Sequence, residues 1–384
     1  MKRQKINKKV RDEEQNLKRL KEVKTQAIRE QRTKISKIFA FSLLPFSFLL
    51  FPLVLCLLSF TLCLLIPSVS LGLEKDRVVL AVGGKIGILY LPLTVVEQKG
   101  FFKEEGLQVE IQDVQGGGKA LQALIGGSAD VVVGGYDHTI QMQARDKEIT
   151  AVVLLGRYPG LVLGVRSDLA DRVKQVSDLK GMKVGVTAPG SSTHFFINYL
   201  LSKQGLKPTD ISVIGIGQGN TVIAAVEHKQ VDALANVDPT ITVLENRGLI
   251  KIIADTRTEQ GTWDIYGGEY PFATLYTRRD FIERYPQTTQ RLVNAFVQGL
   301  RWMQGKSPEE IAQVLPESYF AGNKDLYLKA LANSLSMFSP SGRFPETAPQ
   351  TVLTVLSLFD EQVAKANIDL SKTYTNYFVD RVPK

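Results

Sequence analysis

A segment that occurs twice, 102 positions apart and without a gap, constrains this chain more than any other feature. Residues 109–137 read VEIQDVQGGGKALQALIGGSADVVVGGYD, and residues 211–239 read ISVIGIGQGNTVIAAVEHKQVDALANVDP. Superposing them sets Gly117 on Gly219, the stretch Leu121 to Leu124 on Ile223 to Val226, and Asp130 on Asp232. Each copy opens on an apolar alternating run, bends at glycine, continues with an apolar stripe at helical spacing, and returns to a short β-branched run after a small-Asp step. That order is a β–loop–α–β module. Two such modules predict two similar lobes facing each other, an arrangement that commonly encloses a small molecule.

Between Lys37 and Glu74 no charged residue occurs for 36 positions, and Phe39 to Ile66 is almost continuously apolar, long enough to cross a bilayer. Residues 1–38 hold 14 Lys/Arg against 5 Asp/Glu, leaving 33 Lys/Arg and 34 Asp/Glu for the remainder. Residues 1–38 therefore read as a basic n-region, which the positive-inside rule sets in the cytoplasm. The nearly neutral body argues against nucleic-acid binding. Residues 39–73 read as a signal peptide or a membrane anchor. Ser68 and Ser70 have the spacing a signal peptidase reads, which favours cleavage near Ser70. The length of the basic region, with Pro45 and Pro52 inside the apolar run, leaves open a start codon further downstream or retention as an anchor. Cys56 and Cys63 both lie in the apolar run, preceded by Leu55 and Leu62 rather than by the small residue that lipid attachment needs. The body thus has no disulfide framework, no thiolate nucleophile and no cysteine-rich zinc site.

The body alternates strand and helix patterns. A buried-strand run, Arg77 to Val82, leads through Gly83-Gly84 to a helical pattern from Ile88 to Gln98 and a strand from Gln108 to Val114. After a strand at Leu161 to Val165, a second series contains Val184 to Val186, a helix from Thr193 to Lys203, the second repeat copy and a strand at Ile250 to Ala254. Phe272 to Tyr276 reads as a strand returning to the first lobe. The expected division is 74–165 plus 272–384 for one lobe and 166–271 for the other, joined by two crossover strands that act as a hinge. The C-terminal part reads as helical: Leu292, Val293, Phe296, Val297, Leu300 and Met303 keep helical spacing, Ser307-Pro308-Glu309-Glu310 is a capping box, and further helices are expected at 324–337 and 348–366.

The order Gly83-Gly84, Phe101-Phe102-Lys103-Glu104-Glu105-Gly106-Leu107, Gly116-Gly117-Gly118, Ala129-Asp130-Val131, Asp178-Leu179-Lys180-Gly181, Ser191-Ser192-Thr193-His194 and Val231-Asp232-Ala233 resembles the solute-binding proteins of ABC importers. Within them it is most similar to the nitrate/sulfonate/taurine and thiamine-precursor group, over residues 77 to about 305. The resemblance implies an α/β, two-lobed periplasmic-binding-protein-like fold of type II, each lobe a βα sandwich. It also implies an extracytoplasmic protein, in the periplasm or on the outer face of the cell membrane, that captures a small polar or anionic solute. The expected partners are that solute and the permease and ATPase subunits of an ABC importer. The membrane joins them through the N-terminal segment if that segment is uncleaved. A monomer is expected, and no cofactor or metal.

The leading site candidate is Ser191-Ser192-Thr193-His194. A helix begins there, and its first amides lack intrahelical partners, so an anionic head group is stabilised without any Arg; Ser192 as a simple N-cap is the alternative. Facing it are Gly84 with Tyr90, Gly117 and Gly118, and Tyr136 with His138. Glycine allows a close backbone approach, and Tyr136 is placed to stack on a planar ligand. Asp137 reads better as the N-cap of a helix starting at Thr139. In the second lobe Gln218-Gly219-Asn220 is the repeat equivalent of the triple glycine, with Gly219 and Asn220 as the site candidates, and Asp238 occupies the equivalent of the Tyr136 loop; facing the cleft it would meet an amine, and before Pro239 it is also an ordinary turn residue. Trp263 lies near the second crossover, where it would wall the cleft.

Two other functions compete. A membrane-tethered sensing domain follows if the apolar segment is retained. A pyrimidine-precursor synthase-like enzyme is weaker, because such relatives rely on a cysteine-containing motif and His138, His194 and His228 have no metal spacing. No catalytic residue is assigned, and the chain is expected not to be an enzyme.

Overall fold

The computed structural model describes residues 15, 18–19, 21–33, 74–320 and 322–384. The contact boundary of the chain falls between Leu71 and Gly72. On its N-terminal side, residues 21–33 form an exposed helix. The apolar run 39–66, and with it the choice between signal peptide and anchor, lies outside the described residues. Among the described residues no helix is long and apolar enough to cross a membrane.

The body is α/β and two-lobed. Its first sheet has the order β2-β1-β3-β10-β4, from β1 (Arg77–Val82), β2 (Gln108–Asp113), β3 (Val131–Gly135), β4 (Ile149–Leu154) and β10 (Ala273–Arg278). The second has the order β7-β6-β8-β5-β9, from β5 (Val162–Arg166), β6 (Lys183–Val186), β7 (Ser212–Gly215), β8 (Ala233–Asn236) and β9 (Ile250–Asp255). In each sheet four strands run in one direction, and a fifth, arriving from the other lobe, inserts antiparallel between the third and the edge strand. The 102-residue repeat is therefore β2–helix Gly117–Ile125–β3 in one lobe and β7–helix Asn220–Glu227–β8 in the other.

The small-Asp step of the repeat is a clasp. The Asp130 carboxylate accepts the Val79 amide at 2.8 Å, and the Asp232 carboxylate accepts the Lys183 amide at 2.9 Å. Each Asp also returns its own amide to the carbonyl of that same residue, at 2.8 Å in both lobes. The equivalent Asp thus pins the start of the neighbouring parallel strand. Lys75 at 2.6 Å and Arg166 at 3.4 Å balance the two charges.

Three expectations shift. Strand β5 lies in the second sheet, so the chain crosses before Val162 rather than at 165–166. The second crossing, 256–272, is no bare strand, since it carries the helix Glu259–Tyr266. The helix expected at 348–366 is two, Ala348–Ser357 and Glu361–Lys365, because Asp360 turns its carboxylate onto the amides of Gln362 and Val363 and starts a new helix. The long helix Pro286–Met303 buries the stripe read from the sequence, and the capping box at Ser307 forms with both of its hydrogen bonds.

Thr256, fully buried, fastens the two crossings to each other. Its hydroxyl accepts the Leu161 amide at 2.8 Å and donates to the Leu161 carbonyl at 2.8 Å, while its own amide donates to that carbonyl at 2.9 Å. Thr256→Val keeps the shape and strands the buried Leu161 amide, so a loss of about 1–3 kcal/mol is expected, read as a fall of roughly 2–8 °C in the thermal unfolding midpoint. A midpoint within 1 °C of the wild type would remove the clasp from the account.

Candidate functional site

The two sheets present the C-terminal ends of their parallel strands to each other, where loops rather than strands meet, and in open α/β sheets that is where ligands bind. A cavity of ≈ 20 Å³ lies there, lined among others by Gly83, Tyr90, Gly117, Ser191, Ser192, Thr193, Gln218 and Phe272. No Lys or Arg is among its lining residues. The volume is that of about one water, so the lobes are shut.

Five hydrogen bonds fasten the lobes around this cavity. The Gly118 amide donates to Ser191 Oγ at 2.8 Å, Gln218 Nε2 to the Gly83 carbonyl at 3.0 Å, and Ser192 Oγ to Asp137 Oδ1 at 2.8 Å. The Ile88 amide donates to the Asp238 carbonyl at 2.8 Å, and His138 Nε2 lies 3.3 Å from the Gly190 carbonyl. The triple glycine serves this closeness: a Cβ on Gly116 would sit 2.7 Å from the Ala188 methyl, and one on Gly118 2.7 Å from the Pro189 carbonyl oxygen. Any side chain at either position would hold the lobes apart.

The helix Ser192–Lys203 starts at the cavity as the sequence suggested. Its N-cap is Ser191, and that side chain makes no capping bond with its own helix; it is spent on Gly118. The first turn therefore keeps its amide dipole directed at the cleft. Thr193 has a second duty, since its hydroxyl accepts the Thr187 amide at 3.1 Å and braces the turn between β6 and this helix. Tyr90 lines the cavity, and burial pushes its phenol well above the ordinary range, so it stays neutral.

Six expected residues lie elsewhere. Tyr136 is fully buried on the far side of its loop, with its hydroxyl 2.5 Å from Thr373 Oγ1 and its ring against Phe344 and Tyr374. His194 turns outward and accepts the Gly190 amide on Nδ1 at 3.1 Å. The Asp238 carboxylate is used inside its own lobe, accepting the amide and hydroxyl of Thr242 at 2.9 and 2.8 Å and pairing with Arg257 at 3.3 Å. Trp263 sits on the crossing helix, 47% exposed, away from the cavity. Gly219 and Asn220 line a second, larger cavity next to the first rather than the cleft itself.

Two residues gain importance. Asp137 is not an N-cap, because Tyr136 takes that position and the helix begins at Asp137 itself, which points its carboxylate across the cleft. Gln218, which the sequence marks only as the first residue of the triple-glycine equivalent, reaches from the second lobe into the first. The one available signal was its place before the glycine that opens the second repeat helix.

Burial raises the Asp137 carboxyl above the usual range, against the opposing effects of His138 and the Ser192 hydroxyl. Burial lowers His138, so the ring is neutral; the Gly190 carbonyl can only accept, which puts the proton on Nε2 and leaves Nδ1 to accept from the Tyr276 hydroxyl at 3.0 Å. Because the folded pKa of Asp137 is raised, its contribution is most favourable below the unfolded carboxylate value and is lost as pH rises through the folded one. Asp137→Asn removes that loss. The variant's melting temperature relative to wild type is expected to climb by a few degrees between pH 4 and pH 8, and an advantage that shrinks with rising pH would contradict the assignment.

The arrangement is shared with other proteins. A family model described as NMT1/THI5 like matches residues 89–311. A solved protein of Bordetella bronchiseptica RB50 is 45% identical and superposes with a TM-score of 0.78 over 80% of this chain and 97% of that one. The alkanesulfonate-binding protein SsuA of Xanthomonas axonopodis pv. citri, solved bound to MOPS, has the same fold at 20% identity and a TM-score of 0.59, covering 79% of this chain and 99% of that one. Among curated relatives, YtlA of Bacillus subtilis (strain 168), which carries the name of a binding protein, is 24% identical over 235 residues, 60% of this chain and 68% of its own length. The 4-amino-5-hydroxymethyl-2-methylpyrimidine phosphate synthase THI11 of Saccharomyces cerevisiae is 24% identical over 147 residues, 38% of this chain and 42% of its own length. The family match takes in the first crossing, the whole second lobe and the return strand, and the chain belongs to the NMT1/THI5 like family.

Proposed function

We propose that this protein is the extracytoplasmic solute-binding component of an ABC importer, capturing a small polar or anionic solute between its lobes and presenting it to permease and ATPase subunits. One observation carries the reading. The lobes meet through a ring of hydrogen bonds around a cavity that faces an uncapped helix start, and none of those bonds is local to one lobe. A solute that occupies the cavity touches both lobes only when they are shut, so its binding energy favours the closed form. With no cation in the cavity wall, a polar or acidic head group would be held by the first-turn amides at Ser192 and Thr193, the hydroxyls there and the Gly118 loop.

The relatives fit this reading through YtlA, named as a binding protein, and SsuA, which binds alkanesulfonate. An enzymatic role has less support. The synthase match covers a minor part of this chain, and the body offers no cysteine. Among the described residues no cluster of His, Cys, Asp and Glu could hold a metal ion. A sensing role is the second reading, favoured by the apolar run 39–66 if that run stays in the membrane; it uses the same cleft and differs in the partner.

A thermal-shift screen against sulfonates, inorganic anions, pyrimidines and aromatic carboxylates is expected to give a clear rise with one chemical class, about 2.7 kcal/mol of added stability at a hundredfold excess over Kd. A folded, ligand-free protein that responds to none would count against solute capture. Ser192→Ala with Thr193→Ala is expected to weaken binding of the responding solute at least tenfold while the protein stays folded. Unchanged affinity would take the helix start out of the site.

A further inference from the structure

The cavity in the cleft, at ≈ 20 Å³, adjoins a second one of ≈ 360 Å³, and Gln218 lines both. The larger volume lies in the range of sites that enclose small organic molecules; the smaller does not. Both lobes build the larger chamber: Ile223 and Val243 come from the second lobe, and Ile86, Phe320 and Leu326 from the first and its C-terminal helices.

The partition between the two is poorly anchored. Gln218 makes one side-chain hydrogen bond, from Nε2 to the Gly83 carbonyl, while its Oε1 is buried with no partner among the described residues. The side chain lies in a slot that exists because Gly84 and Gly87 lack side chains, a Cβ on Gly84 falling 2.3 Å from Gln218 Cδ and one on Gly87 3.0 Å from Oε1. A second wall residue of the chamber, Tyr327, also has a buried hydroxyl without a partner among the described residues. An unpaired buried acceptor is costly, and a rotation that brings Oε1 to a donor removes that cost.

The chamber's charged wall residues are already engaged. The Asp113 carboxylate takes the amides of Gly84, Lys85 and Gln115 at 2.9, 2.9 and 3.1 Å, and Arg247 pairs with Glu227 at 3.2 Å. The rest of the wall mixes apolar side chains with uncharged polar ones, the side-chain amides of Gln115, Asn220, Asn246 and Asn323 and the hydroxyls of Thr240, Ser318 and Tyr327. Such a lining suits an uncharged organic group that has hydrogen-bond donors and acceptors, and an inorganic anion would leave it unfilled.

We propose that this chamber is a second compartment of the solute site, joined to the cleft when Gln218 rotates, and that it takes an uncharged, N–H- or O–H-bearing organic portion of the solute. The proposal rests on solute capture in the cleft and adds the solute's class: an organic molecule with a polar head and a neutral, amide- or hydroxyl-bearing tail. Because both lobes wall the chamber, its occupant binds the shut form alone and couples tail recognition to closure.

The test compares short and extended probes that share a head group, on the full chain in detergent: ethanesulfonate with N-benzoyltaurine, and propionate with N-benzoyl-β-alanine. In at least one pair the extended probe is expected to bind at least tenfold more tightly. Val243→Trp, which fills the chamber, is expected to abolish that advantage and leave the short probe within twofold. Asn246→Trp at the exposed rim is expected to do the same, and it keeps the test open should the first variant unfold. Equal affinity of short and extended probes overturns the proposal and leaves the cleft reading standing, as does an advantage that survives both tryptophans. Binding by none of the four probes also overturns it, and the broader screen with inorganic anions and pyrimidines then decides whether the lobes capture a solute at all.

Discussion

Each sheet of this protein is completed by a strand that comes from the other lobe. β5 enters the second sheet between β8 and β9, and β10 enters the first between β3 and β4, both antiparallel to their neighbours. The first lobe is then built from two pieces of chain with the second lobe inserted between them, and the two crossings must run side by side. Thr256 and Leu161 hold them together there through a hydroxyl that both accepts and donates. With the lobes tied at that one side, the remaining freedom is a rotation about the crossings. Such a rotation opens and shuts the opposite side, where the glycine loop and the Ser192 helix meet.

Closure brings groups together that are costly to bury alone. The Asp137 carboxyl loses water when the second lobe arrives, and the Ser192 hydroxyl returns only one hydrogen bond. Gln218 gains the Gly83 carbonyl and leaves its own oxygen unpaired. The shut lobes are thus incompletely satisfied, as expected of a protein whose closed state is completed by a partner molecule rather than by itself. The neutral His138, held between Tyr276 and the Gly190 carbonyl, closes one edge without adding charge.

Much of this was legible in the sequence, and the limits have a physical pattern. The repeat, the strand–glycine–helix order, the amphipathic stripe of the Pro286–Met303 helix and the Ser307 capping box are local signals, and the structure realises them within a few residues. What stayed hidden depends on distant partners. A loop position such as Tyr136 can be placed next to the cleft from the sequence, but the direction of its side chain is decided by Thr373, 237 residues away. Asp238 is claimed by Arg257 and Thr242, so a residue that could have met a ligand serves its own lobe. Asp137 looked like a cap because Asp commonly caps; one residue of helix register, with Tyr136 in the N-cap position, sent its carboxylate to Ser192 instead. β5 joins the second sheet rather than the expected first lobe; a short apolar run carries no mark of the sheet it joins.

The central claim is that a solute is held by shutting the lobes. Its most direct test is amide hydrogen exchange with and without whichever screened solute raises the melting temperature. The amides of Ile88 and Gly118 donate across the lobe boundary, to Asp238 and Ser191. Saturating solute should slow exchange in peptides covering 83–90 and 116–119 at least tenfold, while the core strands β1 and β3 change little. Exchange at those peptides that is the same with and without bound solute would contradict closure as the means of capture.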